Sequence, residues 1–305
     1  MTARRGFALV ASVWLVVAIT AVALEVSWLA RARRLQVANT ADAVVARAAA
    51  RSGLEHARAR LVQALRPTAN DALADPWRWP MDGGSALGAA QYTFTVRDDA
   101  STLDVNTSDE ASLARLFVAC GADLPVAEQA AARLADWIDA DQLRRARGAE
   151  RADYLAVGAR AVPRDGAVPR VAELDDVLEL PVAPWACVRP LLSTGGAARV
   201  NPNTASLALL RALAGIDAVG ASAIVAARRG GRLRDFRELV AVVPPGHRAG
   251  MEQNAESLQR QLVYRVDVVR VASEASVAGS PVRIRAEALM RRTGGSVFTA
   301  WRVFR

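Results

Sequence analysis

The 305-residue sequence predicts an α+β protein with a long N-terminal transmembrane helix and an antiparallel sheet that a large α-helical domain interrupts. Three observations support this fold class. An uncharged apolar run lies near the N-terminus, strand-like segments lie near residue 91 and after residue 262, and Ala-rich helical patterns fill the chain between them. Because 52% of the residues are apolar and 23% are charged, the chain can bury a core, which excludes general disorder.

The N-terminal helix is predicted over residues 7–66, and its first part, residues 7–24, is predicted to span a membrane. This part has no charged residue, and at about 1.5 Å per residue it extends roughly 27 Å, close to the thickness of the hydrocarbon core of a bilayer. Apolar residues continue at helical spacing to Leu65, and the first proline is Pro67. Glu25 follows the apolar run without a small-residue cleavage site, which favours an anchor over a cleaved secretory signal.

The strands of the sheet are predicted at both ends of the helical middle. Residues 91–97 alternate between apolar and polar types, as in a half-buried strand. Three more strands are predicted near the C-terminus, at residues 262–271, 281–290 and 296–304, and Gly294 with Gly295 predicts the last turn. Residues 75–88 are rich in Pro, Trp and Gly and predict an ordered loop.

The helical middle is predicted to contain two related units. Val105-Asn106 precedes one apolar helix and Val200-Asn201 precedes another, and in each case Asn, Thr or Ser can cap the helix N-terminus. Breaks are predicted near Gly121, near Gly148, over residues 181–190 and near residues 244–245.

The first six residues resemble the leader of a type IV prepilin. They read MTARRG, a short basic segment that ends at Gly6 and is followed directly by Phe7. The resemblance implies that a prepilin peptidase cuts after Gly6 and that the new N-terminal Phe7 is methylated. The fifth residue of the mature chain would be Ala11, where most pilins and pseudopilins carry Glu. Within this family, the lack of that Glu is typical of the K-type minor pseudopilin of the type II secretion system.

Three further stretches, residues 103–117, 134–142 and 199–239, also resemble the K-type (GspK) family, and the order of elements is similar over essentially the whole chain. The resemblance implies a pseudopilin-type sheet and two helical units of the sterile-alpha-motif-like or helix-hairpin-helix-like kind. The implied domains are a prepilin leader (1–6), the N-terminal helix (7–66), an α/β core (67–102 and 252–305) and the two helical units (103–197 and 198–251).

The resemblance also implies a function in assembly and no enzymatic activity. The chain would be a minor pseudopilin at the tip of the pseudopilus, needed to start the pseudopilus and to export proteins across the outer membrane. Its partners would be I-type and J-type minor pseudopilins, the major pseudopilin filament, the prepilin peptidase, and secreted substrates or the secretin. It would cross the inner membrane once and hold its soluble domain in the periplasm.

Five acidic residues are candidate metal ligands: Asp136, Asp139, Asp141, Glu150 and Asp153. Calcium takes six to eight oxygen ligands, which clustered carboxylates on a loop can supply, and the family resemblance makes calcium a plausible cofactor. Arginines are interleaved among these acids, so ion pairing on a solvated face is an equal alternative.

Two cysteines, Cys120 and Cys187, are too few for a zinc site or a disulfide framework. They are either buried thiols or one disulfide in an oxidising compartment. The two histidines, His56 and His247, lie in no recognisable catalytic motif, and His247 is expected to be an exposed turn residue.

The alternative function is a membrane-anchored, competence-like protein that binds DNA through a helix-hairpin-helix segment. Residues 203–239 resemble such a segment and include Arg228, Arg229 and Arg232. Asp217 stands where a second close glycine is expected, however, and its carboxylate would repel a phosphate. All 39 basic residues are Arg and the net charge of +8 is scattered, so no nucleic-acid partner is expected.

Overall fold

The computed structural model describes residues 3–65, 81–195, 199–294 and 296–304. Helix α1 spans Ala3–Ala64, which confirms the predicted long N-terminal helix. Every residue from 11 to 30 is exposed, and this part of α1 is long and apolar enough to cross a membrane. The leader residues 1 and 2 and the predicted loop from 75 to 80 lie outside the described residues.

The strands are β1 (Gly83–Leu87), β2 (Ala90–Asp98), β3 (Leu103–Asp104), β4 (Leu192–Ser193), β5 (Val268–Val277), β6 (Arg283–Thr293) and β7 (Ser296–Phe304). Within the described residues, five of them form an antiparallel sheet in the order β1-β2-β5-β6-β7. The helical region is inserted in the chain between β2 and β5, which are neighbours in the sheet. The predicted interruption of an antiparallel sheet by a helical domain is therefore confirmed.

The C-terminal half of α1 packs on one face of this sheet. Ala49, Leu54 and Leu61 of α1 are buried in a core that also contains Phe94 of β2 and Val271 of β5. The first half of the predicted apolar stripe does not reach the sheet, since Leu35 and Val45 are exposed. One helix therefore has two surroundings, with small and apolar residues facing the sheet only from residue 46 onward.

Two local predictions about the sheet are wrong. Residues 83–87 form β1 rather than a loop, because Gly83 and Gly84 have no side chain and can lie against the Phe94 ring and the Tyr92 carbonyl. The strand predicted at 262–271 begins instead at Val268, and the chain before it ends a helix. Leu262 contributes to the helical core and has no place in the sheet, although its apolar character satisfies both patterns.

The helices of the inserted region are α2 (Glu110–Ala119), α3 (Leu124–Ile138), α4 (Arg151–Ala156), α5 (Val182–Val188), α6 (Leu207–Ala212), α7 (Ala218–Gly230), α8 (Phe236–Ala241), α9 (Ala249–Gln253) and α10 (Ala255–Gln261). Residues 181–190, predicted to be a break, contain α5, which Pro181 precedes. Both units share one hydrophobic core, to which α2 contributes Leu116, α6 contributes Leu209 and α7 contributes Ile224. Leu258 and Leu262 also lie in that core, so the helical region extends past the predicted boundary at residue 251.

The internal repeat is present in the structure, but its register differs from the prediction by two residues. Asp109 caps α2 through the Ser112 amide, and Ser206 caps α6 through the Leu209 amide. These caps, 97 residues apart, align Asp104 with Asn201 and Asn106 with Asn203. The predicted match of Asn106 with Asn201 rested on the Val-Asn pair that both segments contain. Sequence alone could not distinguish this alignment from the one that the structure shows.

The repeat explains how each helical unit closes. In the first unit, Leu103 pairs in parallel with Leu192, and in the second Val200 pairs in parallel with Leu262. Asn106 exchanges two hydrogen bonds with the Val168 backbone (3.0 and 2.8 Å), and Asn203 exchanges two with the Leu233 backbone (2.9 and 2.8 Å). Each unit thus uses one Asn amide to satisfy a distant backbone group that would otherwise be unpaired.

Candidate functional site

The predicted processing site lies on α1. Gly6 and Phe7 fall within the helical backbone of Ala3–Ala64, and Ala11 lies in the exposed part of the same helix. The exposed apolar residues of this part include Trp14, Val22 and Trp28, all of them at least 60% exposed. A surface of this kind is stable only in lipid or against other apolar helices.

The predicted metal ligands lie on the loop between α3 and α4 and on the adjoining helix ends, and the structure brings three of the five together. One carboxylate oxygen each from Asp139, Asp141 and Glu150 lies within 4.8 Å of the other two. Asp136 and Asp153 are used differently. Asp153 accepts from the Glu150 backbone amide at 2.9 Å and from Arg144 at 3.1 Å, which orders the start of α4.

Arg145 organises the same loop. Its guanidinium donates to the fully buried Asp136 at 2.6 Å and to Asp139, and it lies 3.3 Å from Glu110 at the start of α2. The hydrogen bond to Asp136 is the main reason why the pKa of Arg145 is raised above its usual range. The ion-pairing alternative therefore applies to Asp136, Asp139 and Asp153, while Glu150 lies in no ion pair with a described residue.

Glu150 is the unusual member of the cluster. It is 4% exposed, and neither of its carboxylate oxygens has a hydrogen bond among the described residues. Burial, followed by the negative charges of Asp136 and Asp139, raises its pKa to about 7. One oxygen of Asp139 and one of Asp165 are also buried without a partner. Asp165 was not predicted from the sequence, since it lies 15 residues after Glu150 and only the fold brings them near.

These unpartnered oxygens fit a hard divalent cation. A buried carboxylate without a hydrogen bond is costly, and an ion that coordinates it removes that cost. Asp139, Asp141 and Glu150 could hold calcium as direct ligands, with Asp165 nearby, and the ion would supply charge neutralisation that links α3 to α4. Most arginines of the loop form ion pairs with acids outside this group of three. The exception is Arg145, which also forms an ion pair with Asp139.

The two cysteines are joined in the structure. Cys120, at the C-terminus of α2, forms a disulfide with Cys187 of α5, and the two Cα atoms are 5.8 Å apart. The bond lies beside the stacked rings of Phe117 and Trp185. It links two helices of the first unit that are 67 residues apart in the chain.

The three predicted DNA-binding arginines have different surroundings. Arg228 donates to the backbone carbonyls of Pro202 and Ala205 at 2.9 and 2.6 Å, and burial lowers its pKa. Arg229 is exposed and Arg232 is half-buried. The structure places Asp217 at the N-terminus of α7, where its carboxylate accepts from the Gly220 amide at 2.7 Å. That carboxylate occupies the place a phosphate would need.

Two histidine contacts were missed by the sequence prediction. His247 bonds Asp217 through Nδ1 at 2.6 Å, which ties the turn before α9 to the start of α7. His56 of α1 bonds the Tyr92 hydroxyl at 3.1 Å and packs edge-on against Phe94. Neither pair could be found from sequence spacing, because both depend on how distant elements pack.

A buried polar junction joins the sheet to the helical region. Asp98, the last residue of β2, accepts hydrogen bonds from the Asn201 amide at 2.8 Å and the Thr204 hydroxyl at 2.6 Å. Next to it, the buried Asp99 accepts from Arg270 of β5 at 3.0 Å. Consecutive acids directly after an alternating strand were the signal available in the sequence, and it was not used.

Comparisons with known proteins agree with this architecture. Residues 87–195, which cover β2 and the first helical unit, match the family model described as type II secretion system protein K. This match makes 109 of the 305 residues similar to a domain of protein K. No curated protein sequence matches the chain.

The fold also matches a solved structure. A chain of the crystal structure of the GspK-GspI-GspJ complex from the type 2 secretion system of enterotoxigenic Escherichia coli superposes with a TM-score of 0.68. The match covers 90% of this chain and 99% of that chain, at 18% sequence identity, and so shows a shared fold. Both comparisons point to the same secretion system, since the family model describes its protein K and the solved structure is of its GspK-GspI-GspJ complex.

Proposed function

We propose that the protein is the K-type minor pseudopilin at the tip of the type II secretion pseudopilus, where it starts assembly and is needed for protein export across the outer membrane. The observation that carries this proposal is the combination of one helix with two surroundings and a sheet interrupted by a protein K domain. The exposed apolar part of α1 supplies the membrane anchor and the assembly surface. The docked part holds the folded body in place.

The N-terminus supports a tip position. After cleavage between Gly6 and Phe7 and methylation of Phe7, the fifth mature residue is Ala11. A carboxylate in a bilayer is costly unless it is paired, so a subunit with no subunit above it gains nothing from Glu at this place.

The proposed partners are I-type and J-type minor pseudopilins, as in the solved complex, followed by the major pseudopilin filament. The prepilin peptidase acts once on the precursor. The body lies in the periplasm beside the inner membrane, where a disulfide such as Cys120–Cys187 is stable. The outward helical region is the surface that secreted substrates or the secretin would contact.

The test is processing of Gly6→Ala. We expect this variant to remain an uncut precursor in the inner membrane and to abolish secretion, whereas Ala3→Gly, elsewhere in the leader, is cut normally. Intact mass and N-terminal sequencing in cells with and without prepilin peptidase would measure both. Normal processing of Gly6→Ala, or an unprocessed native chain in both strains, would contradict the proposal.

We also propose that Asp139, Asp141 and Glu150 bind calcium. Calcium at a hundred times its dissociation constant should stabilise the folded chain by about 2.7 kcal/mol, and magnesium should do less because it requires stricter geometry. Glu150→Gln should abolish the calcium-dependent rise in melting temperature and, without calcium, should stabilise the chain by removing a buried unpartnered charge.

The matched control is Asp176→Asn, which changes an exposed carboxylate outside the cluster. Thermal unfolding with calcium, with magnesium and with a chelator separates the cases. An equal calcium effect in native protein and in Glu150→Gln would show that the ion binds elsewhere or not at all.

A further inference from the structure

An open groove lies between α2 and α3 in the protein K domain. Its volume is about 730 Å³, and its walls are mainly apolar: Ala111, Ala114, Val118, Leu124 and Ala132. Leu124 is 60% exposed and Val118 is 36% exposed, so these apolar side chains face solvent instead of being buried in the core.

Charged residues border this α2–α3 groove, and their charges do not cancel. Glu128 pairs with Arg147 at 2.7 Å, and Glu110 lies 3.3 Å from Arg145. Arg115 donates to the Ala212 carbonyl at 2.7 Å and to Ser112 at 2.9 Å, but it lies in no ion pair with a described residue. In the part of the chain that the structure describes, the Arg211 guanidinium has neither an ion pair nor a hydrogen bond.

Arg211 is half-buried and lines the groove from α6. A half-buried guanidinium without a protein partner has lost part of its hydration, and no protein acceptor replaces the lost water. A carboxylate placed in the groove would restore that loss, since Arg binds carboxylates through two parallel hydrogen bonds.

We propose that the α2–α3 groove binds an extended polypeptide segment of a partner protein, with apolar side chains on the alanine-lined floor and one acidic side chain paired with Arg211. A polypeptide fits better than an acyl chain because Glu110, Glu128 and Arg147 on the rims offer acceptors and donors for a peptide backbone. The exposed stretch of α2 is about 12 Å long, which matches about four extended residues.

This proposal stands on the groove alone and does not depend on the secretion role. If the groove binds no peptide, the processing of the leader is unaffected. If the native precursor stays uncut, the binding of a peptide to the groove is unaffected.

The experiment measures binding of a short peptide to full-length protein in detergent by fluorescence anisotropy. The probe is Ser-Leu-Val-Glu-Leu-Val-Ser with an amidated C-terminus and a neutral nitrobenzoxadiazole label, so that its Glu is the one carboxylate. Saturable binding is expected. Replacing the Glu of the peptide by Gln should weaken binding to the native protein about fivefold or more, but should have no further effect on Arg211→Ala.

The matched pair of variants is Ala111→Trp, an exposed position that fills the groove, and Val182→Trp, an 85% exposed position on α5 outside it. Ala111→Trp should weaken binding about tenfold or more while Val182→Trp leaves it unchanged, with both variants melting like native protein. Three results would each overturn the proposal: no saturation up to about 1 mM peptide, equal binding by the two Trp variants as expected for micelle partitioning, or an undiminished Gln effect in Arg211→Ala.

Discussion

Two buried carboxylates show how the same side chain type can have opposite uses in this fold. Asp98 is 3% exposed, but three hydrogen-bond donors surround it, from Thr204, Ala100 and Asn201. Glu150 is equally buried, and no described residue donates a hydrogen bond to its carboxylate. The first therefore holds two parts of the molecule together, and the second is a candidate for a ligand from outside the chain.

Asp98 predicts a pH dependence of stability. Burial raises its pKa from 3.8 to about 6 in the folded chain, although the hydrogen bonds from Thr204 and Ala100 oppose the shift. The folded state therefore holds the proton more tightly than the unfolded state. Its contribution to stability is full below pH 4 and is lost as the pH rises to about 6, with an upper limit of about 3 kcal/mol.

Urea unfolding of native protein and Asp98→Asn between pH 4 and pH 7 checks this. The decline across that window should be smaller in Asp98→Asn than in native protein, because the Glu150 carboxyl, whose pKa is raised to about 7, still contributes to it. Asp176→Asn, which alters an exposed carboxylate, should retain the full decline. Parallel pH profiles for native protein and Asp98→Asn would contradict the assignment.

At the scale of single elements, α1 shows how one glycine sets the distance between a helix and a sheet. A Cβ atom on Gly53 would lie 2.1 Å from Ser273 Oγ and 2.9 Å from the Tyr92 ring. Ser273 is fully buried and donates to the Thr93 carbonyl at 3.1 Å, so it cannot move away. The close approach of α1 to β5 therefore depends on the missing side chain.

Gly53→Ala should consequently destabilise the protein, even though Ala gains about 1 kcal/mol over Gly in a helix interior. The clash is of the kind that costs about 1–3 kcal/mol in a packed core, so it outweighs the gain in helix propensity. Chemical unfolding in detergent measures the difference. Arg51→Ala, an exposed change two residues away, should leave stability nearly unchanged, and a more stable Gly53→Ala would show that the helix can shift away.

At the scale of the whole molecule, the described residues form two hydrophobic cores, one between α1 and the sheet and one within the helical region. The chain passes from the first core to the second after β2 and returns to the first core before β5. The crossing is held by polar contacts, among them Asp98 with Asn201 and Asp99 with Arg270. The Cys120–Cys187 disulfide lies at the edge of the helical core, since Cys120 packs against that core and Cys187 is exposed.

Loss of that disulfide should therefore weaken one core selectively. Cys120→Ala with Cys187→Ala opens a loop of 67 residues, which in the chain-entropy model costs about 4 kcal/mol. Hydrogen exchange should become faster at the amides of α2, α3 and α5, while the β5–β6 amides retain their protection. Uniform acceleration across both regions would show that the two cores unfold as one unit.

Much of this architecture follows from local patterns. The long N-terminal helix, β2 and the interrupted sheet were predicted because their apolar residues recur at periods that only one element type can bury. The Gly6-Phe7 junction and Ala11 are likewise properties of the sequence itself. The closeness of Asp139, Asp141 and Glu150 was partly predictable, because all three fall within one short segment.

Other features were decided by tertiary structure. The α10 segment and β1 were mispredicted because apolar residues such as Leu262, and glycines such as Gly84, suit more than one element until their neighbours are known. Asp165 near Glu150, Arg145 between its acids and Arg211 without a partner all depend on which distant groups come within a few ångströms. The sequence determined most of the elements and the long apolar N-terminal helix, since these depend on the periodicity of hydrophobic burial. The fold alone decided which charged side chains form ion pairs among the described residues and which do not, since pairing depends on position in space.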